Sequence, residues 1–449
     1  MTPQGLTVLA ALRPGEEEPL RGVLRAIGND IRGTKTRDAA ARPRIEFCRS
    51  RRIHFARFAI LDDPDRGANR KRLLFSSNYD GGLDDHLAEL VAITTDMSAI
   101  WGACEAYTGV ERFADFIRAH AHAPNAFYIA FRDETVESIH GHIAVRRSLR
   151  QWLDTAPPAA LARPSAEQSA IRAAPRLAES ATRRLAGRLE QLARALPVVV
   201  DGLKAIRRWG FRNVFEGTAT ITASLGRYPV FRFFNWITGN SLPPLKSPYS
   251  SVAIDNCAPW SPLAPGDEIP SASPDGGGSY HGPETSAFRE DAITQNQLTL
   301  VTVVEPQHIR RVGAVMAAID SFATRLAPPG SLIGISTIHF VRWLLVDDGR
   351  RLVMLSDYDG SWESYIDEFA EMILSGLDAI WNTSRGFPPD GARDLPAFKR
   401  FLRSHQVPAE IFFSAYPDET VLNIVNDRTL AHALADAEGS PMTTAMKRL

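Results

Sequence analysis

Apolar residues along the chain fall into two alternating periods, and the alternation occurs twice. Leu6–Leu12 and Leu298–Val304 are short apolar runs bounded by Pro14 and Pro306, the signature of buried strands that stop at a turn or a helix start. Behind them Leu20, Leu24, Ile27 and Ile31, and then Val312, Met316, Ile319 and Phe322, recur at helical spacing and predict one amphipathic helix in each half. Two further strands follow in each half, over 52–63 and 72–79 and over 337–348 and 351–358, joined by turns that contain Asp-Asp. Tyr-Asp-Gly then opens a second helix, with a stripe of Leu83, Leu87 and Leu90 in the first half and Trp362, Ile366, Phe369 and Ile373 in the second. A last strand precedes Asp-Glu-Thr-Val in both halves, so the predicted order is βαββαβ, twice.

The two runs of elements also match residue by residue. LTVLAALRPG (6–15) matches LTLVTVVEPQ (298–307), RIHFARFAILDD (52–63) matches TIHFVRWLLVDD (337–348), and RLLFSSNYDG (72–81) matches RLVMLSDYDG (351–360). AIW recurs at 99–101 and 379–381, and FYIAFRDETV (127–136) matches IFFSAYPDETV (411–421). Five segments in one order imply an internal duplication. The expected class is α+β: a first ferredoxin-like unit over 1–140, an insert over 141–295, a second unit over 296–430 and a tail over 431–449. A βαββαβ unit carries its helices on one sheet face and leaves the other bare. Two copies in one chain can cover each other, sheet against sheet, around a cavity.

Composition narrows the classes of function. The 449 residues are 44% hydrophobic and 23% charged, with a net charge of −1, which offers no general attraction to nucleic acid. Cys48, Cys104 and Cys257 are too scattered for a disulfide framework or a CxxC site, which suits a cytoplasmic location. The N-terminal run LTVLAAL is too short for a signal peptide, and no apolar stretch reaches the roughly 18 residues of a membrane span. Charge is uneven, however: residues 146–212 carry 14 Arg and Lys against 5 Asp and Glu. Within 183–236 the bases interleave with Trp209, Phe211, Phe215, Tyr228, Phe231, Phe233, Phe234 and Trp236. This stretch reads as an extra layer on the fold, or as a contact with an anionic membrane surface.

Two constellations recur in both halves. In Tyr79-Asp80-Gly81 and Tyr358-Asp359-Gly360, glycine relaxes a strand-to-helix corner, and the aspartate either caps the helix that follows or serves as an acid/base carboxylate beside the tyrosine. In Ile53-His54-Phe55-x-Arg57 and Ile338-His339-Phe340-x-Arg342, alternation puts the histidine and the arginine on opposite strand faces. A buried arginine needs a carboxylate or an anion, with Asp62, Asp63 and Asp80 as local partners for Arg57. No HExxH, GxSxG, Walker or GxGxxG pattern is present. His140-x-His142 at the end of the first unit is a weak metal signal.

The duplicated βαββαβ order resembles the dimeric α+β barrel superfamily, which includes antibiotic-biosynthesis-type monooxygenases, chlorite dismutases and dye-decolourising peroxidases. The resemblance covers roughly residues 5–140 and 296–425. It implies an intramolecular barrel, and the Asp-Gly pairs at 80–81 and 359–360 are similar to the end of the peroxidases' Gly-x-x-Asp-Gly motif. On that likeness the expected activity is a peroxidase-like, haem-dependent oxidoreductase. Its axial iron ligand would be His281 or His339, with His54 as a further haem contact. Arg57 or Arg342 would polarise peroxide, and Asp80 or Asp359 would move protons. One alternative is a cofactor-free monooxygenase or isomerase acting on a small apolar or aromatic substrate through Tyr79, Tyr358 and the His–Arg strands. The other is a non-catalytic scaffold, peripheral to a membrane through 183–236.

Overall fold

The computed structural model describes residues 2–31, 44–63, 67, 69–155, 207–208, 293–325 and 327–436. The first half runs β1 (Gln4–Ala11), α1 (Glu17–Ile31), β2 (Ile53–Asp62), β3 (Lys71–Tyr79), α2 (Leu83–Ile93), α3 (Met97–Trp101), α4 (Phe113–His120), β4 (Ala126–Ile129) and α5 (Val136–Thr155). The second runs β5 (Gln295–Val303), α6 (Ile309–Arg325), β6 (Ile338–Val346), β7 (Arg351–Asp359), α7 (Trp362–Trp381), α8 (Leu395–His405), β8 (Ala409–Ser414) and α9 (Val421–Asp436). The break between α2 and α3 has a counterpart inside α7, where Ile373 leaves helical geometry at φ −140°, ψ 38°. Helices α5 and α9 run through positions 140 and 430, where the sequence pattern alone suggested boundaries.

The chain folds as mixed α+β around two four-stranded antiparallel sheets, in the orders β1-β3-β2-β8 and β4-β6-β7-β5. Each sheet takes three strands from one half and its fourth from the other. Strand β8 lies beside β2, pairing Phe55 with Ser414 and Arg57 with Phe412, and β4 lies beside β6, pairing Phe127 with Arg342. The pattern of residues predicts a final strand that closes its own unit; instead that strand crosses over. Period and propensity mark a strand but not its neighbour, because pairing is decided by packing between segments far apart in the chain.

Alternation along each strand sorts the core. Val8, Ala10, Phe58, Ile60, Leu73 and Phe75 face the helix layer of the first sheet, where Leu20, Leu24, Leu87 and Leu90 cover them. The neighbouring positions, Leu9, Ala59, Leu61 and Leu74, face the second sheet and meet Leu344, Val346, Val353 and Leu355 in one buried cluster. Strands buried on both faces read as continuous apolar runs, which is why 52–63 and 337–348 show so few polar residues. Each fully buried Leu, Val or Phe contributes about 1.5–3 kcal/mol. Between the sheets, where a cavity was expected, lie this buried cluster and the side chains described next. Among the described residues no helix is long and apolar enough to cross a membrane.

Candidate functional site

Arg57 and Arg342 sit on the faces that meet, and each reaches into the opposite sheet. From Arg57, Nη1 donates to the carbonyl of Leu298 at 2.8 Å and Nη2 to that of Ser356 at 2.8 Å, while Nη2 also pairs with the carboxylate of Asp357. From Arg342, Nη1 donates to the carbonyl of Leu6 at 2.8 Å and Nη2 to that of Ser77 at 3.0 Å, with Nη2 also bonding Oδ1 of Asn78. Both guanidiniums also meet a threonine hydroxyl at 3.2 Å, Thr299 for Arg57 and Thr7 for Arg342. Gly5 makes room for Arg342, since a Cβ there would stand 2.7 Å from its Nη1, and the ring of Phe127 lies 4.9 Å from the guanidinium carbon.

The two arginines are joined through Asn78 and Asp357, which occupy matching places in SSNYDG and LSDYDG; Nδ2 of Asn78 donates to Oδ2 of Asp357 at 2.8 Å. Two guanidiniums therefore share one carboxylate inside the protein. Burial lowers the pKa of Arg342 to about 9, against the upward pull of Asp357 and with Arg57 lowering it further, so the group is still charged at neutral pH. The partner of Arg57 is thus across the sheets. Asp62 pairs instead with Lys71, Asp63 lies 3.7 Å from Arg72, and Asp80 is engaged by a histidine.

His54 and His339 are fully buried. Nε2 of His54 meets Oδ1 of Asp80 at 3.0 Å, and Nε2 of His339 meets Oδ1 of Asp359 at 2.7 Å. The second oxygen of each carboxylate accepts a backbone N–H: Val136 to Asp80 at 2.8 Å and Val421 to Asp359 at 2.7 Å. These valines open α5 and α9 and end the two Asp-Glu-Thr-Val motifs. The aspartates of Tyr-Asp-Gly therefore cap a helix, but a distant one. The helix directly behind the corner has Gly82 at its N-cap, with no side-chain bond, in one half and is capped by Ser361 in the other. Gly81 and Gly360, at φ +88° and +79°, supply the left-handed turn.

The halves differ at the far side of the imidazole. Nδ1 of His54 meets the hydroxyl of Tyr416 at 2.9 Å. A carboxylate can only accept, so in the neutral ring Nε2 carries the proton and Nδ1 accepts from the tyrosine. Burial, then Asp80, Asp357 and Asp359, push the Tyr416 hydroxyl well above its ordinary pKa and keep it a donor. The residue matching Tyr416 is Phe131, whose ring lies 5.6 Å from that of His339. Nδ1 of His339 consequently has no hydrogen-bond partner.

The tyrosines of the two corners are occupied elsewhere. Tyr79 stacks on His86 of α2 at 3.9 Å, and Tyr358 stacks on Tyr365 of α7 at 3.9 Å. Ser77 and Ser356 bond the same two rings, at 2.8 Å to Nε2 of His86 and 2.6 Å to the hydroxyl of Tyr365. The structure thus brings Arg57 and Arg342 into one network, pairs each histidine with the aspartate of its own half, and leaves Tyr79 and Tyr358 in the strand–helix layers.

A haem would need an imidazole nitrogen free to bind its iron and open space beside that ring. Both nitrogens of His54 are bonded. His339 has a free nitrogen, but the rings of Phe55, Phe131 and Tyr416 stand 5.2, 5.6 and 6.1 Å from its own, where a porphyrin face would need open space. Neither residue fits an axial ligand in this packing. His281, like most of 183–236, lies outside the described residues. No three His, Cys, Asp or Glu among the described residues are grouped to hold a metal ion; Nε2 of His140 meets the carbonyl of Ala415 at 2.9 Å, and His142 stands 3.6 Å from Glu134.

A surface cleft of about 220 Å³ opens beside this region. Ala130, Phe131, Pro329, Ile424 and Val425 line it, with Arg428 and Glu134 paired at 3.1 Å on its polar side. Sequence reasoning passed over Asn78, Asp357, Phe131 and Tyr416. The signal was present: these are among the positions where the matching motifs differ. No family model, curated protein or solved structure matches the chain.

Proposed function

We propose that the chain is two ferredoxin-like units in tandem, closed on each other as an α+β barrel with their fourth strands exchanged. We further propose that this body is a non-catalytic scaffold that holds the basic, aromatic stretch 183–236 against an anionic membrane surface. The observation that carries the reading is that the polar residues shared by the halves are spent on the joint. Arg57 and Arg342 end on carbonyls of the opposite sheet, and Asp80 and Asp359 are divided between a histidine and a helix N-terminus. Further ties cross between the halves: Arg72 with Asp347 at 2.7 Å, Arg146 with Glu419 at 2.5 Å, and Arg21 with Glu410. A centre for cofactor-free oxygen or isomerase chemistry would need space between the sheets, where leucines and valines pack against one another.

Interleaved arginines and aromatic rings are the residue types that meet lipid phosphates and enter the headgroup boundary, at about 1 kcal/mol per basic residue near an anionic leaflet. Flotation of the full chain with phosphatidylcholine vesicles, with and without phosphatidylserine, tests this. Binding is expected only with the anionic lipid, weakening with salt and on joint replacement of Arg183, Arg184 and Arg188 by Glu; no binding at low salt overturns it. The peroxidase-like reading retains His281 as its candidate ligand. A Soret band after haemin loading that disappears in His281→Ala would replace the scaffold reading.

A further inference from the structure

The contrast between His54 and His339 points to a ligand site independent of the scaffold reading. Both rings are 0% exposed, both give Nε2 to an aspartate, and both aspartates are fixed by a helix N–H. An acceptor nitrogen buried without a donor costs about 1–3 kcal/mol. In the first half Tyr416 removes that cost; in the second the matching side chain lacks only the hydroxyl. Phe131, the side chain in question, also lines the cleft of about 220 Å³. One aromatic ring therefore packs on the imidazole that holds the unsatisfied nitrogen and also borders a space large enough for a small molecule. The cleft wall is mostly apolar, and its charged pair, Arg428 with Glu134, is already mutually engaged.

We infer that the cleft binds a small apolar molecule bearing a hydroxyl, of the phenol class, whose O–H donates to Nδ1 of His339 while the Phe131 ring shifts aside. The ligand supplies the group that Tyr416 supplies to His54. The acceptor lone pair and the apolar wall select a neutral donor; a carboxylate brings no proton to Nδ1, and a carboxylate or a phosphate would leave its charge among Phe131, Ile424 and Val425. His54 is an internal control, because its acceptor is already bonded.

The test is a phenol titration of the full chain labelled with ¹⁵N-histidine, reading the Nδ1 resonances of His54 and His339. A saturable shift at His339 with none at His54 is expected. The shift is lost in Thr429→Trp, an exposed position at the cleft that leaves the core untouched, and in Phe131→Tyr, which supplies the hydroxyl from within. An absent or non-saturating shift at His339, an equal shift at His54, or a shift that survives in Thr429→Trp overturns the inference.

Discussion

Asp357 and Asn78 occupy matching places in the two halves and hydrogen-bond each other at the centre of the molecule, the amide of one donating to the carboxylate of the other at 2.8 Å. One of the two matching residues is neutral, and so two buried arginines share a single negative charge. Asp357→Asn should cost roughly 3–5 kcal/mol, the range for leaving a buried charge without its counter-ion. Asn78→Asp gives Arg342 a counter-ion but replaces the donor to Asp357 by a second carboxylate oxygen, so it should also destabilise, though less than Asp357→Asn. Urea unfolding of the three proteins checks both.

The hydroxyl that separates the two histidine sites can be moved. Tyr416→Phe should cost about 1–2 kcal/mol by leaving Nδ1 of His54 without a donor, whereas Phe131→Tyr should add about 1 kcal/mol by satisfying His339. Opposite signs from one added or deleted oxygen are the mark of this asymmetry, and thermal unfolding at fixed pH reads them.

His86 sets part of the acid response. Burial, with a smaller contribution from Arg52, depresses its pKa to about 3 from an ordinary 6.5. Between those values the unfolded chain binds a proton that the folded protein refuses, so stability is lost as pH falls from about 6.5 toward 3. Tyr365 occupies the matching place, with the same stack and the same serine bond. His86→Tyr should therefore fold and should flatten the stability curve over that window relative to the wild type.

Gly5 is required by a close approach. Gly5→Ala would set a methyl 2.7 Å from Arg342, whose guanidinium is held by two carbonyls and a threonine and cannot withdraw. A loss of about 1–3 kcal/mol is expected in urea unfolding. At the matching position Gln297 is tolerated, and its Oε1 accepts from Arg57 at 3.2 Å.

These details mark where sequence reasoning reaches and where it stops. The helical stripes were legible, because burial imposes a period: Leu20, Leu24 and Ile27, and Trp362, Ile366 and Phe369, are all buried. The strands of each half were legible for the same reason, but alternation left open whether the histidines or the arginines face the opposite sheet, and it is the arginines that do. The exchange of β4 and β8 was not, since a strand four or six residues long pairs wherever its faces are covered. Local proximity also misled. Asp62 and Asp63 stand near Arg57 in sequence but at the strand end, while Asp357 is opposite it in space. Asp80 precedes α2 but caps α5, because the corner turns its carboxylate toward the helix that follows β4.

The most direct test of the joint between the halves is a double-mutant cycle on Arg57 and Asp357, with Arg57→Met, Asp357→Leu and the pair measured by urea unfolding. If the two side chains meet across the sheets, removing both should cost less than the sum of the single losses by roughly 1–3 kcal/mol. Losses that add to within about 0.5 kcal/mol would mean that residues 57 and 357 do not touch, and the sheet-to-sheet account would fail.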